Sequence, residues 1–264
     1  MKSNNLPIGL FDSGIGGTSI WKEITTLLPN ENTIYLSDSK NAPYGQKSKE
    51  EIINLSIKNT EFLLSKKCKL IVVACNTATT NAIKLLREKY SVPFIGIEPA
   101  IKPAALNTKS KIVGILATKG TLNSELFEKT SSTIEKEIII HEKVGKGLVE
   151  LIEEGKIEST EMRQLLRSYI NPMLEKGVDS LVLGCTHYPY LIPLIKEITD
   201  NKIQIIDSGL AVAKQTKAIL EKNKLLNLDN FKGKHSFKIN SDKLVLRNIL
   251  SYNLSRIDIK EEDF

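Results

Sequence analysis

The chain has 264 residues, 41% of them apolar and 26% charged, and a formal net charge of +6. That length supports a sizeable core in one large or two ordinary domains of roughly 100–150 residues, and the composition excludes a disordered or fibrous chain. No apolar run approaches the roughly 20 residues of a membrane helix and Met1-Lys2-Ser3-Asn4-Asn5-Leu6-Pro7 lacks a signal peptide's apolar core, so no membrane association and a cytoplasmic location are expected.

Short apolar runs alternate with helical patterns, the mark of βα units around a mostly parallel sheet, so the fold class is α/β. Strands are expected at Ile8 to Phe11, Thr33 to Leu36, Leu70 to Ala74, Phe94 to Ile97, Lys111 to Leu116, Glu137 to Ile140, Ser180 to Leu183 and Ile203 to Ile206. Ile20, Ile24, Leu27 and Leu28 make one helical face that Pro29 closes. Ser48 and Glu51 form a capping box that starts a helix carrying Ile52, Leu55, Phe62 and Leu63. Thr79 to Tyr90 follows with Ile83 and Leu86 inward, and Lys146 to Glu154 and Thr160 to Leu174 form a helical pair around Gly155.

Two pairs of strings recur. Leu70-Ile71-Val72-Val73-Ala74-Cys75-Asn76-Thr77 is echoed by Leu181-Val182-Leu183-Gly184-Cys185-Thr186-His187, and Leu10-Phe11-Asp12-Ser13-Gly14 by Ile205-Ile206-Asp207-Ser208-Gly209. They suggest two related α/β halves with a mirrored site between them, although short runs ending in turns also recur by chance.

Several motifs fail. Gly14-Ile15-Gly16-Gly17-Thr18-Ser19 has Ser19 where a dinucleotide loop needs its last glycine; its backbone N–H groups either bind a carboxylate or simply make a tight turn for helix–sheet packing. Gly145-Lys146-Gly147 lacks the rest of a phosphate loop, and His141-Glu142 lacks a second histidine at metalloprotease spacing, so no metal is expected. His141 and His235 read as surface or edge residues. Lysines alternate with glutamates, as in Ser48-Lys49-Glu50-Glu51, with no basic stripe interleaved with aromatics, so no nucleic-acid partner is expected despite the positive charge.

Cys68, Cys75 and Cys185 are an odd set with no close pair, so they read as reduced thiols, Cys68 as filler. Cys75 and Cys185 each end an apolar run and precede polar donors. At a strand's carboxyl end, with a helix start beyond Cys75 to favour its thiolate and a similar setting expected for Cys185, such a thiol is placed for chemistry. Small core residues at two strand ends are the bland alternative, but Asn76, Thr77, Thr186 and His187 stand where a packed core would carry apolar groups. A hydrolase needs one thiol and a redox enzyme two that bridge. A racemase needs an acid and a base on opposite faces of one carbon, which two thiols supply.

Phe11-Asp12-Ser13-Gly14-Ile15-Gly16-Gly17, Pro43-Tyr44-Gly45, Ala74-Cys75-Asn76-Thr77-Ala78-Thr79, Gly184-Cys185-Thr186-His187-Tyr188-Pro189 and Ile206-Asp207-Ser208-Gly209 closely resemble the bacterial glutamate racemases over nearly the whole chain. The resemblance implies two similar α/β domains related by pseudo-two-fold symmetry, residues 1–98 plus 209–264 and residues 99–208, with the active site between them. It implies cofactor-independent racemisation of glutamate for peptidoglycan synthesis, hence cell-wall biogenesis and cell shape. Cys75 would take the α-proton of D-glutamate and Cys185 that of L-glutamate, Asp12 assisting the first and His187 the second. Asp12, Ser13, Tyr44, Gly45, Asn76, Thr77, Thr186 and His187 would bind substrate. Asp12 as a helix cap, Tyr44 as a loop anchor and His187 as a buried core residue are the duller readings.

The chain departs from the family's pattern at Val144-Gly145, where relatives carry Cys-Pro, so Glu153 is carried over only as an auxiliary residue, and the tail after Lys232 departs as well. With no extension ahead of Pro7, activation by a cell-wall precursor is not expected, whereas a homodimer, common in the family, is. A relative acting on aspartate or another α-acid and a ligand-binding protein without activity are the competing readings.

Overall fold

The apolar runs become strands because both of their faces are buried, which suits parallel sheets covered by helices on either side. The computed structural model describes residues 3–134, 138–251 and 256–264. The chain runs β1 (Ile8–Asp12), α1 (Thr18–Leu27), β2 (Thr33–Ser37), α2 (Lys49–Ser65), β3 (Leu70–Val73), α3 (Asn76–Lys89) and β4 (Phe94–Gly96). It continues through α4 (Ile101–Asn107), β5 (Ile112–Ala117), α5 (Lys119–Leu122), α6 (Glu125–Ser132), β6 (Ile139–Val144), α7 (Leu148–Glu153), α8 (Thr160–Glu175), β7 (Ser180–Gly184), α9 (Ile192–Ile198) and β8 (Gln204–Ile206). It closes with α10 (Gly209–Lys222), β9 (His235–Ile239), α11 (Leu244–Ile249) and β10 (Ile257–Glu261).

Among the described residues there are two sheets, ordered β10-β9-β2-β1-β3-β4 and β6-β5-β7-β8, and every pairing is parallel. In the first sheet Ile8, Leu10, Tyr35, Leu70 and Val72 belong to the core that also holds Trp21 and Ile24 of α1 and Val212 and Ala213 of α10, while Phe11, Leu36, Ile71 and Val73 belong to the core with Ile52 and Leu63 of α2 and Ile83 and Leu86 of α3. In the second, Val113, Ile115 and Val182 join Ile101 and Phe127, and Leu116, Leu181 and Leu183 join Leu148, Met162, Leu166 and Ile195.

The Ser48–Glu51 capping box forms as expected: Ser48 Oγ accepts the Glu51 N–H and the Glu51 carboxylate accepts the Ser48 N–H. The expected strand Glu137 to Ile140 begins outside the described residues and the strand observed runs from Ile139 to Val144. The helix expected from Lys146 starts only at Leu148, because Gly147 takes a left-handed φ of 84°.

Two expectations are corrected. The shared order β2-β1-β3-β4 and β6-β5-β7-β8 matches β3 with β7, so the cysteine echo corresponds to the topology. It matches β1 with β5 and β4 with β8, so the Asp-Ser-Gly echo does not. Asp12 ends β1, whereas Asp207 follows β8 and Thr118 stands in the place equivalent to Ser13. Ser208 Oγ instead donates to Glu98 O at 2.5 Å, tying together the two places where the chain passes between the sheets.

His235 is also not a surface or edge residue. It is buried on β9 between β2 and β10, edge-on to Trp21, with Nδ1 3.0 Å from Thr33 Oγ1, and burial and Arg256 hold its pKa down at about 4. Trp21 Nε1 donates to the same Thr33 hydroxyl. The tail after Lys232 is thereby part of the first sheet, with Phe237 packed on Trp21 and Tyr35. His141 does lie on an edge strand, β6.

Candidate active site

Parallel strands end on one side of their sheet, and the polar residues just past those ends are left facing a crevice. Asp12 ends β1, Asp38 follows β2, Cys75 follows β3, Thr118 follows β5 and Cys185 follows β7. Ser13, Tyr44, Gly45, Cys75, Asn76, Thr77, Cys185, Thr186 and His187 all line one small cavity, together with Pro43, Thr118 and Val149. It leaves about 10 Å³ for solvent, room for roughly one water. Pro43, Gly45, Thr118 and Val149 also line a wider opening of about 330 Å³ that carries Gln46, Lys119, Lys146 and Glu150. Gln46 Nε2 donates to Glu150 Oε1 across that mouth at 2.5 Å.

Cys75 is the N-cap of α3, and its Sγ accepts the Ala78 N–H at 3.5 Å and lies 3.8 Å from Ser13 Oγ. The helix start acts in the expected direction but is outweighed. Burial, then the charge of Asp12, push the Cys75 thiol well above its ordinary pKa, so the thiol is held protonated rather than activated. Cys185 differs, since only a 3-10 turn at Tyr188–Leu191 and then the short α9 follow it. Its Sγ lies 3.8 Å from His187 Nδ1.

Asp12, expected to bind substrate, does not line the cavity; it lies behind it, against the Cys75 thiol and the start of α1. Its Oδ2 accepts the Gly17 N–H at the start of α1 at 2.7 Å, and Thr186 Oγ1 reaches both of its oxygens at 3.4 Å. Burial raises its carboxyl above the usual range, against His187, the Gly17 N–H and the Cys75 thiol. Its Oδ2 lies 4.0 Å from His187 Nδ1, so the two assisting groups are neighbours.

Glu153, only an auxiliary expectation, anchors His187. Its Oε1 stands 2.6 Å from His187 Nε2 and accepts the Ile15 N–H at 2.7 Å, while Oε2 accepts Ser39 Oγ at 2.7 Å. Burial works to lower the His187 pKa, but its bonds to Cys185 and Glu153 carry it well above the ordinary value. Burial would raise Glu153, and the His187 partner with the Ile15 and Ser39 donors holds it below. The raised pKa favours the protonated ring beside Glu153, and Nε2 then donates to Glu153 at 2.6 Å; the Gly16 N–H, 3.2 Å from the same nitrogen, can donate to it only when that nitrogen carries no proton. The glycine loop thus does receive a carboxylate, the chain's own Glu153. Gly14 and Gly16 are required by close approach, since a Cβ at either would fall about 2 Å from Glu153 Oε1 or His187 Nδ1 respectively.

Tyr44 is both anchor and wall. Its hydroxyl donates to Asp38 Oδ2 at 2.5 Å and accepts from Asn59 Nδ2 at 3.1 Å, while its residue lines the cavity. Asn76 is buried with neither side-chain polar atom partnered, the state of a group that waits for a ligand. Thr77 Oγ1 reaches Thr118 and Thr121 at 2.7 and 3.2 Å. Sequence reasoning missed Asp38, Ser39 and Thr118. The signal available for Thr118 was its place after the strand equivalent to β1. Cys68 lies outside the cavity, its pKa raised by burial to about 12. Among the described residues no His, Cys, Asp and Glu cluster could hold a metal, and no helix is long and apolar enough to cross a membrane.

The chain matches the family model described as Asp/Glu/hydantoin racemase over residues 10–216. It is 47% identical to a glutamate racemase of Cupriavidus pinatubonensis over 80% of this chain and 78% of that one. In structure it resembles glutamate racemase isoform RacE1 from Bacillus anthracis, with a TM-score of 0.87 and 31% identity over 99% of this chain and 98% of that one. It also resembles the Francisella tularensis glutamate racemase solved with D-glutamate, with a TM-score of 0.84 and 30% identity over 98% of both chains.

Proposed function

The chain belongs to the Asp/Glu/hydantoin racemase family, and from that premise we propose that it interconverts L- and D-glutamate without a cofactor, by proton transfer between Cα and two thiols. The observation that carries this reading is that Cys75 and Cys185, from corresponding strands of two sheets, line the same small cavity. A relative of 30% identity holds D-glutamate. The D-glutamate formed would serve cytoplasmic peptidoglycan synthesis.

Cys75 removes the α-proton of D-glutamate while Cys185 supplies one to the opposite face, and the reverse holds for L-glutamate. Cys75 starts as a protonated thiol, a poor base, in a tight pocket. The substrate's ammonium group brings a positive charge beside Asp12 and Cys75, which favours the thiolate there. His187, its protonated form favoured by Glu153, stands 3.8 Å from the Cys185 Sγ, placed to assist proton transfer there. The negative charge that develops next to the substrate carboxylate needs donors already in place, and the unpartnered Asn76 amide with the Thr77 and Thr186 hydroxyls supplies them. Ser13, Tyr44 and Gly45 complete the binding surface. The cavity is too tight for a dicarboxylate to enter unaided, so the half formed by residues 1–98 and 209–264 opens from the half formed by 99–208 and closes again on the substrate. The family resemblance also supports a homodimer, which sedimentation would test.

The test is racemisation of purified protein with no added cofactor. In heavy water, early product is expected to carry deuterium at Cα while recovered substrate does not. Cys75→Ala and Cys185→Ala should each reduce the rate at least about a thousandfold, the scale for losing a group essential to the reaction. Full activity of both variants, or turnover of aspartate in preference to glutamate, would overturn the reading.

A further inference from the structure

We propose that Asn240, on the C-terminal segment, is a positioning residue that sets the substrate-facing loop 38–46 through Asp38. β9 pairs in parallel with β2 in the register Ser37 to Ile239, which brings the next residues, Asp38 and Asn240, side by side at the carboxyl edge of the sheet. The Asn240 amide then faces both ways. Its Nδ2 donates to Asp38 Oδ1 at 2.5 Å and its Oδ1 accepts the Lys40 N–H at 2.9 Å.

Asp38 is fully buried, and a buried carboxylate needs a donor on each oxygen. Oδ1 takes Asn240 and Asn41 Nδ2, the latter at 2.8 Å, while Oδ2 takes the Tyr44 hydroxyl at 2.5 Å. The same short loop carries Ser39, which holds Glu153, and Gly45, which with Tyr44 lines the thiol cavity. Asn240 is thus two hydrogen bonds from a cavity wall to which it contributes no atom. β9 itself does not depend on this amide, because Phe237 and Ile239 are buried in the core and the Asn240 N–H meets Ser37 O separately.

The inference rests on the racemase reading for its assay and on direct glutamate binding for its independence from it. Asn240→Ala should raise the KM for D-glutamate, and weaken its calorimetric affinity, about tenfold, the size of a lost hydrogen bond to a charged group, with kcat within about threefold. Asn240→Asp keeps an acceptor for Lys40 but sets a second carboxylate against Asp38, and should be at least as impaired. It is the variant to read if the alanine protein does not fold. Combined with Tyr44→Phe, Asn240→Ala should lose far less than the product of the two separate effects, because both act through Asp38. Unchanged KM and affinity in either Asn240 variant, a loss in kcat alone, or multiplicative losses would overturn the proposal while an active wild-type protein left the racemase reading standing. An inactive wild type whose glutamate affinity still follows this pattern would sink the reaction and not the positioning.

Discussion

Replacing Gly16 by alanine tests whether the glycine loop exists to let His187 approach. A Cβ there would lie 2.2, 2.5 and 2.6 Å from Nδ1, Cγ and Cε1 of the imidazole, where unstrained contact needs about 3.5 Å. Loop and ring must therefore part by more than about 1 Å. The ring has nowhere to go: it is fully buried, held by Glu153 at 2.6 Å, and 3.8 Å from the Cys185 thiol. Overpacking of this kind costs about 2 kcal/mol, or about 4–8 °C in Tm for a chain of this size. A displacement of about 1 Å at a reacting group costs about a hundredfold in rate.

The two enantiomers have equal free energy in water, so kcat/KM must fall alike in both directions. The side affected is read from the isotope effect. With His187 displaced, the step at Cys185 becomes slower than the step at Cys75, and α-deuterated L-glutamate should show a larger effect than α-deuterated D-glutamate. Wild-type kcat/KM with a wild-type melting temperature in Gly16→Ala would show that the loop does not hold His187 in place, as would a loss confined to Tm.

Two further predictions concern buried charge. Lys69 Nζ and Glu31 Oε2 meet at 2.6 Å with both side chains buried, so Lys69→Met leaves an uncompensated carboxylate and should cost about 3–5 kcal/mol in urea unfolding; a loss below about 1 kcal/mol would count against it. In the Glu153–His187 pair the folded-state histidine pKa is raised and the glutamate pKa lowered. The histidine's contribution is full below about pH 6.5 and fades as pH rises through its folded value, whereas the glutamate's is full above about pH 4.3 and fades as pH falls through its folded value. Glu153→Gln should therefore cost most between about pH 4.5 and 6.5, about 2 kcal/mol, and should move the alkaline limb of the rate profile to lower pH. A uniform loss of Tm across pH 4 to 9 would contradict the charge-pair account.

Much of the site was legible because its chemistry is local in the chain. Cys75, Asn76 and Thr77 follow one apolar run, and Cys185, Thr186 and His187 another. Glu153 was hardly legible, since nothing in Leu151-Ile152-Glu153-Glu154 marks one carboxylate over the next; only the fold brings it to His187, 34 residues away. Asp38 is silent in the same way, its meaning arising from Tyr44 and Asn240.

The alternation of buried strands and helices, and a thiol after each of two of them, can be read from the chain alone, because burial period and strand-end position are properties of short segments. The Asp-Ser-Gly echo misled for a related reason: similarity of strings carries no strand order, and order put Asp207 after the counterpart of β4. The tertiary structure alone decided that the C-terminal tail completes the first sheet, that the Cys75 thiol is held protonated, and that Glu153 rather than a ligand fills the glycine loop. Each of those depends on burial and on partners distant in the chain, and desolvation and hydrogen bonding act through space, without regard to sequence separation.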